Sequence, residues 1–199
     1  MKKLIGISIS FALLLFTLWV MDVWQDKVVL HQNLIRLHVV ANSNSEEDQF
    51  VKLQVRDAVI AYLQHLTADI ANKEQAMEII IDQLPSIQQI ANEKLAELGE
   101  SDRTVVSLNS ESFLTREYET FSLPAGVYDS LRIQIGDGEG RNWWCVVFPS
   151  LCLPATSEGF CDTAVSSGFS VKLGNTLTNK RNFRFIVLDC IGRMENLFY

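Results

Sequence analysis

The sequence has few of the residues that build metal centres and catalytic sites. It contains four cysteines and three histidines, with neither a Cys-x-x-Cys nor a His-x-x-x-His pair. Because structural zinc sites use such closely spaced ligands, the pattern argues against zinc. The sequence has no Asp-Thr-Gly motif, and no Ser/His/Asp set can be assigned. We therefore expect no metal and no cofactor.

Charge is absent from residues 4–21, an uninterrupted stretch near the N-terminus. Two lysines precede the stretch and Asp22 ends it, which is typical of a signal sequence. As a helix it would be about 27 Å long, slightly less than the apolar thickness of a bilayer. No Ala-x-Ala cleavage site follows, so residues 1–21 are either a signal peptide or a retained signal anchor.

Positive charge is scarce in residues 22–199, which carry 15 basic and 24 acidic residues and a net charge of −9. By the positive-inside rule the N-terminal lysines stay in the cytoplasm, which sends this part across the membrane. So acidic a domain would not bind nucleic acid and would be repelled by anionic lipid headgroups. We expect a protein partner, and contact with the membrane only through residues 4–21. Four acidic side chains are predicted on a solvated sheet face: Glu111, Glu117, Glu119 and Asp129.

The hydropathy pattern predicts that residues 22–199 form a single α+β domain, with helices on one face of a mainly antiparallel sheet. Two helices are predicted, one over 45–66 that is capped by Ser45 and one over 73–98 that Pro85 breaks or kinks. The segment over residues 155–180 is rich in serine, glycine and threonine, which predicts an exposed loop. The predicted strands are 34–40, where polar residues alternate at Arg36 and His38, and 104–108, 113–121, 127–135, 142–148 and 183–188.

Glycine occupies three alternate positions, Gly136, Gly138 and Gly140, in the most distinctive part of the chain. In a dinucleotide-binding turn such glycines are followed by a helix, but here strand-forming residues follow. The pattern instead predicts a turn whose glycines have positive φ, joining strands 127–135 and 142–148 as a β-hairpin.

Two adjacent tryptophans, Trp143 and Trp144, follow this turn. Neighbouring residues of a strand point to opposite faces, so Trp144 faces outward if Trp143 packs under the helices. Trp144 is then either covered by another helix or loop, or exposed as an anchor for a partner, since tryptophan is enriched at binding hot spots. Arg141 and Asn142 would supply a polar rim.

The four cysteines lie in the part predicted to be exported, where disulfides persist. They allow three full pairings, and free thiols are the other alternative. Cys145 and Cys152 flank a turn at Pro149, so a bridge between them is one candidate. Closing this short loop would stabilise the fold by roughly 2.5 kcal/mol, less any strain.

An alternative interpretation is that the chain is an exported cysteine-dependent hydrolase of the cell envelope, with Cys145 as the candidate nucleophile. Such an enzyme needs a histidine to activate the thiol, and His38 and His65 are candidates. However, strand alternation puts Cys145 on the face of Trp143, where a thiol is normally a small buried hydrophobic group.

Four blocks of the sequence carry a resemblance to a known family. They are Ile35–Ser45 with Asn42 in its turn, Lys52–Val59, Leu123–Tyr128 with Pro124 and Gly126, and Gly136–Cys152. This combination resembles the stage II sporulation protein R family of endospore-forming bacteria. The blocks cover most of residues 34–153, and the chain beyond Leu153 matches poorly.

The resemblance implies export across the forespore membrane into the intermembrane space, with the protein secreted or anchored by its N-terminal helix. Members of the family are ligands of a membrane-embedded aspartic peptidase that processes the sigma-E precursor, and they are not thought to be catalytic. We therefore interpret the chain as a signalling ligand rather than an enzyme. The expected contact residues are Arg141, Asn142, Trp143 and Trp144, with Arg36 and Arg56 as secondary contacts. Arg56 would otherwise lie on a solvated helix face.

Overall fold

The computed structural model describes residues 2–70, 72–149, 164–165 and 169–199. Its helices and strands follow one another as an α+β fold with an apolar N-terminal helix, as predicted. In chain order they are α1 (Lys2–Asn33), β1 (Ile35–Val40), α2 (Glu46–Thr67), α3 (Lys73–Glu97), β2 (Thr104–Phe113), β3 (Arg116–Glu117), β4 (Ser122–Leu123), β5 (Gly126–Ile135), β6 (Asn142–Phe148), α4 (Val171–Leu177) and α5 (Phe183–Glu195).

The main sheet has four strands in the order β2, β5, β1, β6. Strand β5 pairs antiparallel with β2 and parallel with β1, and β1 pairs antiparallel with β6. The predicted β-hairpin is wrong, because β1 lies between the two strands that were expected to pair. The connection over residues 136–141 therefore crosses the end of β1. A separate small sheet joins β3 to β4.

Helices cover both faces of the main sheet rather than the single face that was predicted. On one face α2 and α3 pack against β1, β5 and β6 through residues such as Val55, Ile80 and Leu37. On the other face lies a second core to which α1, α4 and α5 contribute, among them Leu30 and Phe185. Strand β1 is consequently buried along its whole length.

Local sequence signals account for α2 and α3, the two helices on the first face of the sheet. Helix α2 starts as predicted, because the Ser45 hydroxyl caps it by accepting a hydrogen bond from the Asp48 amide at 3.0 Å. Helix α3 has the predicted bounds within two residues and continues through Pro85 as one element. Strand β2 contains the predicted strand 104–108 and extends to Phe113, whereas most of the predicted strand 113–121 is not extended.

The C-terminal elements differ from the prediction. Residues 183–188 begin helix α5 instead of forming a strand. The Asn182 side chain caps this helix, and Phe185, Leu188 and Gly192 form its buried stripe at helical spacing. Residues 171–177 form α4, so the loop predicted over 155–180 is wrong for this part. Most of the remaining loop prediction, residues 155–163 and 166–168, lies outside the described residues.

Helix α1 runs without interruption from the apolar N-terminal stretch into the folded domain. It is long and apolar enough to cross a membrane, and its most apolar 18-residue window is exposed. Further along the helix, Val23 and Leu30 are buried in the second core. Asp26 forms a buried ion pair with Arg184 of α5. The second half of α1 is therefore an integral part of the domain.

Candidate interaction surface

The turn between β5 and β6 is bound to the loop that follows β1. The side-chain oxygen of Asn42 accepts a hydrogen bond from the Asp137 amide at 3.0 Å, and its carbonyl accepts one from Glu139 at 2.9 Å. The side chain of Asn44 accepts a hydrogen bond from the Arg141 amide at 2.9 Å. These bonds fix the turn to β1 and define where β6 begins.

Each glycine of this turn is needed for a specific reason. Gly136 and Gly138 have φ angles of +53° and +68°, a region that side-chain-bearing residues rarely adopt. A Cβ atom on Gly136 would also lie 2.3 Å from the Asn42 side-chain oxygen. A Cβ atom on Gly140 would lie 2.1 Å from the carbonyl oxygen of Ser43, a contact that only glycine avoids.

The entry to β5 is a second constrained turn. Gly126 has a φ angle of +150° and packs closely against Gly192 of α5. The carbonyl oxygen of Pro124 accepts a hydrogen bond from the Tyr128 hydroxyl at 3.0 Å. The Asp189 carboxylate accepts the Ala125 amide at 2.8 Å. This turn therefore links the sheet to the second helix layer.

Trp143 is the more accessible of the two adjacent tryptophans, with 38% of its surface exposed. The guanidinium carbon of Arg56 on α2 lies 4.1 Å from the centre of the indole ring, a cation–π contact. Arg56 in turn pairs with Asp57 at 2.6 Å. Arg141 and Asn142, which precede Trp143, are exposed. We call Arg56, Arg141 and Trp143 the Trp143 face.

Lys52 of α2 lies beneath the Trp143 face and bonds to its backbone. The sequence did not predict this role. Lys52 is buried, and its ammonium group donates to the carbonyl of Arg141 at 2.9 Å and to the Gln49 side chain at 2.6 Å. Burial lowers the pKa of Lys52, with further lowering by Arg141 and Arg56. The bond to Arg141 ties α2 to the start of β6.

Trp144 points to the opposite side of the sheet, where it is half-buried against other aromatic side chains. Its ring stacks on His38 at a centroid distance of 3.8 Å and meets Phe113 edge-on at 4.9 Å. The guanidinium carbon of Arg116 lies 4.8 Å from its centre. Arg36 lies in the same region and is fully buried.

A polar network surrounds His38 on this side. One ring nitrogen of His38 is 3.1 Å from the Glu111 carboxylate and the other is 3.0 Å from the Asn142 side-chain oxygen. Arg132 donates to Glu111 at 3.2 Å. Burial alone would raise the pKa of Glu111, but the bonds from His38 and the other donors outweigh it and hold the pKa below its ordinary value.

The predicted solvated row of carboxylates is wrong at two of its four positions. Glu111 belongs to the His38 network, and Asp129 pairs with Lys73 at 2.6 Å with both side chains largely buried. Glu117 and Glu119 are exposed as expected.

Cys145 faces the core under α2 and α3, where it is opposite Leu37 in the strand register. It is disulfide-bonded, and its partner lies outside the described residues. Cys152 is also outside them, so the predicted Cys145–Cys152 bridge stays a prediction. His38 lies across the sheet, opposite Trp144, so the geometry does not bring this imidazole to Cys145. Cys190 is exposed and free.

The fold thus divides the candidate residues between two sides of the sheet. Trp143, Arg141 and Arg56 are together on one side, and Asn142, Trp144 and Arg36 are on the other, where the Asn142 side chain bonds to His38. Their supporting residues, above all Lys52 and Arg116, carry no local sequence signal, because only the tertiary fold brings them to β6.

Comparison with known proteins gives two matches. The sequence model of the family described as stage II sporulation protein R matches residues 31–158, a segment that holds every strand of the main sheet. Stage II sporulation protein R of Bacillus subtilis (strain 168) is 39% identical over 132 residues, which are 66% of this chain and 59% of that protein. The chain therefore matches about three-fifths of the length of this relative. No solved structure matches.

Proposed function

Because this chain belongs to the stage II sporulation protein R family, we propose that it is an exported signalling ligand that activates a membrane-embedded aspartic peptidase. The activated peptidase would then process the sigma-E precursor. The ligand acts by contact, binding one conformation of the peptidase more tightly than another and so shifting the balance between them.

The observation that carries this proposal is the exposed Trp143. Its indole stacks on Arg56 and lies on the same side of the sheet as exposed Arg141, on a strand that is fixed by the Asn42 turn. A pre-positioned tryptophan loses little conformational entropy on binding and is a frequent hot spot. A tenfold shift in the peptidase equilibrium requires about 1.4 kcal/mol of differential affinity, which one tryptophan contact can supply.

We propose further that the domain acts outside the cytoplasm of the forespore while α1 remains as its membrane anchor. The lysines before residues 4–21 favour an N-terminus inside the cytoplasm. Trp19, at the end of that stretch, stacks on Phe183 of α5 at a centroid distance of 5.5 Å. The buried pair between Asp26 and Arg184 follows two turns later. Cleavage after residue 21 would cut a helix where it packs on the domain.

The cysteine-hydrolase alternative receives no support from the site. A nucleophilic thiolate must be reduced and accessible, whereas Cys145 is buried and disulfide-bonded. We therefore assign Cys145 a structural role.

The proposal is tested by mixing liposomes that carry the full chain with membranes that carry the peptidase and its precursor substrate. Processing of the precursor should depend on the chain, and Trp143→Ala should reduce its initial rate by about tenfold or more. The matched control is Trp24→Ala, because Trp24 is an indole of similar exposure, 52%, that also packs against a cation, Lys27 at 5.0 Å. This control should retain full activity.

Normal processing in the absence of the chain would contradict the signalling role. Equal activity of Trp143→Ala and the unmodified chain would show that the contact lies elsewhere on the molecule.

A further inference from the structure

Arg36 is a fully buried cation that has no counter-ion among the described residues. Its guanidinium carbon lies 3.9 Å from the centre of the Phe113 ring and 5.2 Å from that of Tyr128. One terminal nitrogen, Nη2, donates to the Tyr118 hydroxyl at 3.0 Å. The other two nitrogens, Nε and Nη1, are buried and have no hydrogen-bond partner.

A second guanidinium, that of Arg116 on β3, lies close to the first. Its Nε atom is likewise buried without a partner, and the group is packed on the Trp144 ring. Burial lowers the pKa of Arg116, and the charge of Arg36 lowers it further. Within the described part of the chain, no carboxylate forms an ion pair with either arginine. Two cations thus share an aromatic environment without an anion.

This arrangement is unfavourable by itself. A guanidinium stays protonated at any physiological pH, and a buried charge without a partner is strongly destabilising. Three unpartnered N–H donors add the cost of unmade hydrogen bonds. An anion placed between the two arginines would remove both penalties, so the cluster has the electrostatics of an anion site that is complete except for its ligand.

The surroundings select the type of anion. The walls are aromatic rings, which accept a small planar group that has little hydration to lose. A carboxylate carries one charge and accepts hydrogen bonds from arginine in a preferred planar geometry. A phosphate dianion is larger and more strongly hydrated, and the chain as a whole is acidic, with a net charge of −7.

We propose that Arg36 and Arg116 form a binding site for a carboxylate group, which enters past Arg116 and Trp144. These two side chains are partly exposed and form the outer part of the cluster, whereas Arg36 forms its floor. The described backbone pairing of β3 is with the two-residue strand β4, so Arg116 can shift without breaking the main sheet. The site lies across the sheet from the Trp143 face and does not depend on the proposed function.

The carboxylate can belong to an acidic side chain or to a peptide C-terminus, and three short peptides distinguish these sources. Acetyl-Gly-Glu-Gly-amide offers a side-chain carboxylate, acetyl-Gly-Gly-Gly a terminal one, and acetyl-Gly-Gln-Gly-amide neither. Each is titrated into the full chain in detergent micelles at constant ionic strength, while the arginine Nε–H resonances and the tryptophan fluorescence are recorded. We expect at least one carboxylate peptide to shift the Arg36 and Arg116 resonances saturably, and the Gln peptide to leave them unchanged.

Variants locate the effect. Arg116→Gln should weaken binding of the active peptide by about tenfold or more, and Arg36→Met should abolish it while the fold is kept, because an apolar isostere can replace a buried charge. Arg103→Gln is the matched control, since Arg103 is an exposed arginine at the opposite end of β2 from Arg116. It should bind the peptide as the unmodified chain does.

Two results would overturn the proposal. The first is equal shifts with chloride, phosphate or the Gln peptide, which would mean non-specific screening. The second is the lack of a saturable shift with both carboxylate peptides. If Glu158→Gln or Asp162→Asn then moves the two arginine resonances, the carboxylate is the chain's own.

Discussion

Arg36 and His38, the polar residues at alternate positions of β1, are buried, although alternation of this kind indicates exposure to solvent. On a strand with one solvated face, Arg36 and His38 would point to water. Here the second helix layer covers that face, so Arg36 is fully buried and His38 is 6% exposed. Nothing in the residues around β1 signals the second layer, because it is built from distant parts of the chain.

At the residue scale, Glu111 should make the stability of the domain sensitive to acid. Because its pKa is lower in the folded state than its ordinary value near 4.5, its stabilising effect is complete above that pH. The effect is lost as the pH falls through the lowered folded-state pKa. Glu111→Gln should therefore reduce the free energy of unfolding at pH 7 by about 1–3 kcal/mol. The difference in urea denaturation between the variant and the unmodified chain should shrink as the pH is lowered below about 4.5.

The control for this prediction is Glu119→Gln, which removes an exposed carboxylate close by in sequence. It should change the free energy of unfolding by less than about 0.5 kcal/mol across this pH range. A difference for Glu111→Gln that persists unchanged as the pH is lowered would refute the charge-based explanation.

At the scale of elements, the turn over residues 136–141 holds the start of β6 against the end of β1. Gly140→Ala should destabilise the domain by about 1–3 kcal/mol, because the new methyl group would collide with the Ser43 carbonyl. It should also displace the Trp143 face and lower precursor processing at temperatures where the variant is still folded. Thermal unfolding and the liposome assay measure the two effects.

Gly99→Ala is the matched control for Gly140→Ala. Gly99 has a φ of +81° but open space around it, so alanine there adds backbone strain without a collision. We expect a loss of about 1–2 kcal/mol in stability with normal processing. Reduced processing in both variants would mean that lower stability alone explains the effect of Gly140→Ala.

Elements with a local signal could be predicted from the sequence, and those defined by distant contacts could not. Helix α2 is specified by its Ser45 cap and its apolar stripe, and both are present in the structure. The run from Phe183 to Leu188 is short and apolar, which fits a strand or a buried helix equally well. Its helical stripe is completed only by Gly192, four residues further on.

The pairing of β5 and β6 was mispredicted for a related reason. Two strands joined by a short glycine-rich turn usually pair with each other. In this fold β1 occupies the position between them, and the hydrogen bonds of Asn42 hold the turn across its end. The Trp143 face was not predicted as such, because the sequence favoured Trp144 as the exposed indole, whereas Trp143 is the more exposed of the two. The contribution of Arg56 as a stacking partner could not be predicted either.

At the scale of the whole molecule, the packing of α1 predicts that the protein stays on the membrane. The protein isolated from sporulating cells should have the mass of the full chain and should remain in the membrane pellet after carbonate extraction. Mass spectrometry of the N-terminal peptide provides the direct measurement. A soluble product that begins after residue 21 would refute anchor retention, although it would leave the Trp143 face available for contact.

An uninterrupted α1 also limits how far the protein can reach. If α1 is retained as an anchor, the folded part must lie directly on the bilayer, because α1 continues from the apolar stretch into the core without a linker. A domain of this size is roughly 40 Å across, so its outermost surface is no further than that from the lipid. A receptor in a facing bilayer would be touched only where the two membranes run close together. Activation of the receptor would then depend on the distance between the two membranes as well as on the amount of the protein. A wider gap would prevent activation even when the protein is abundant.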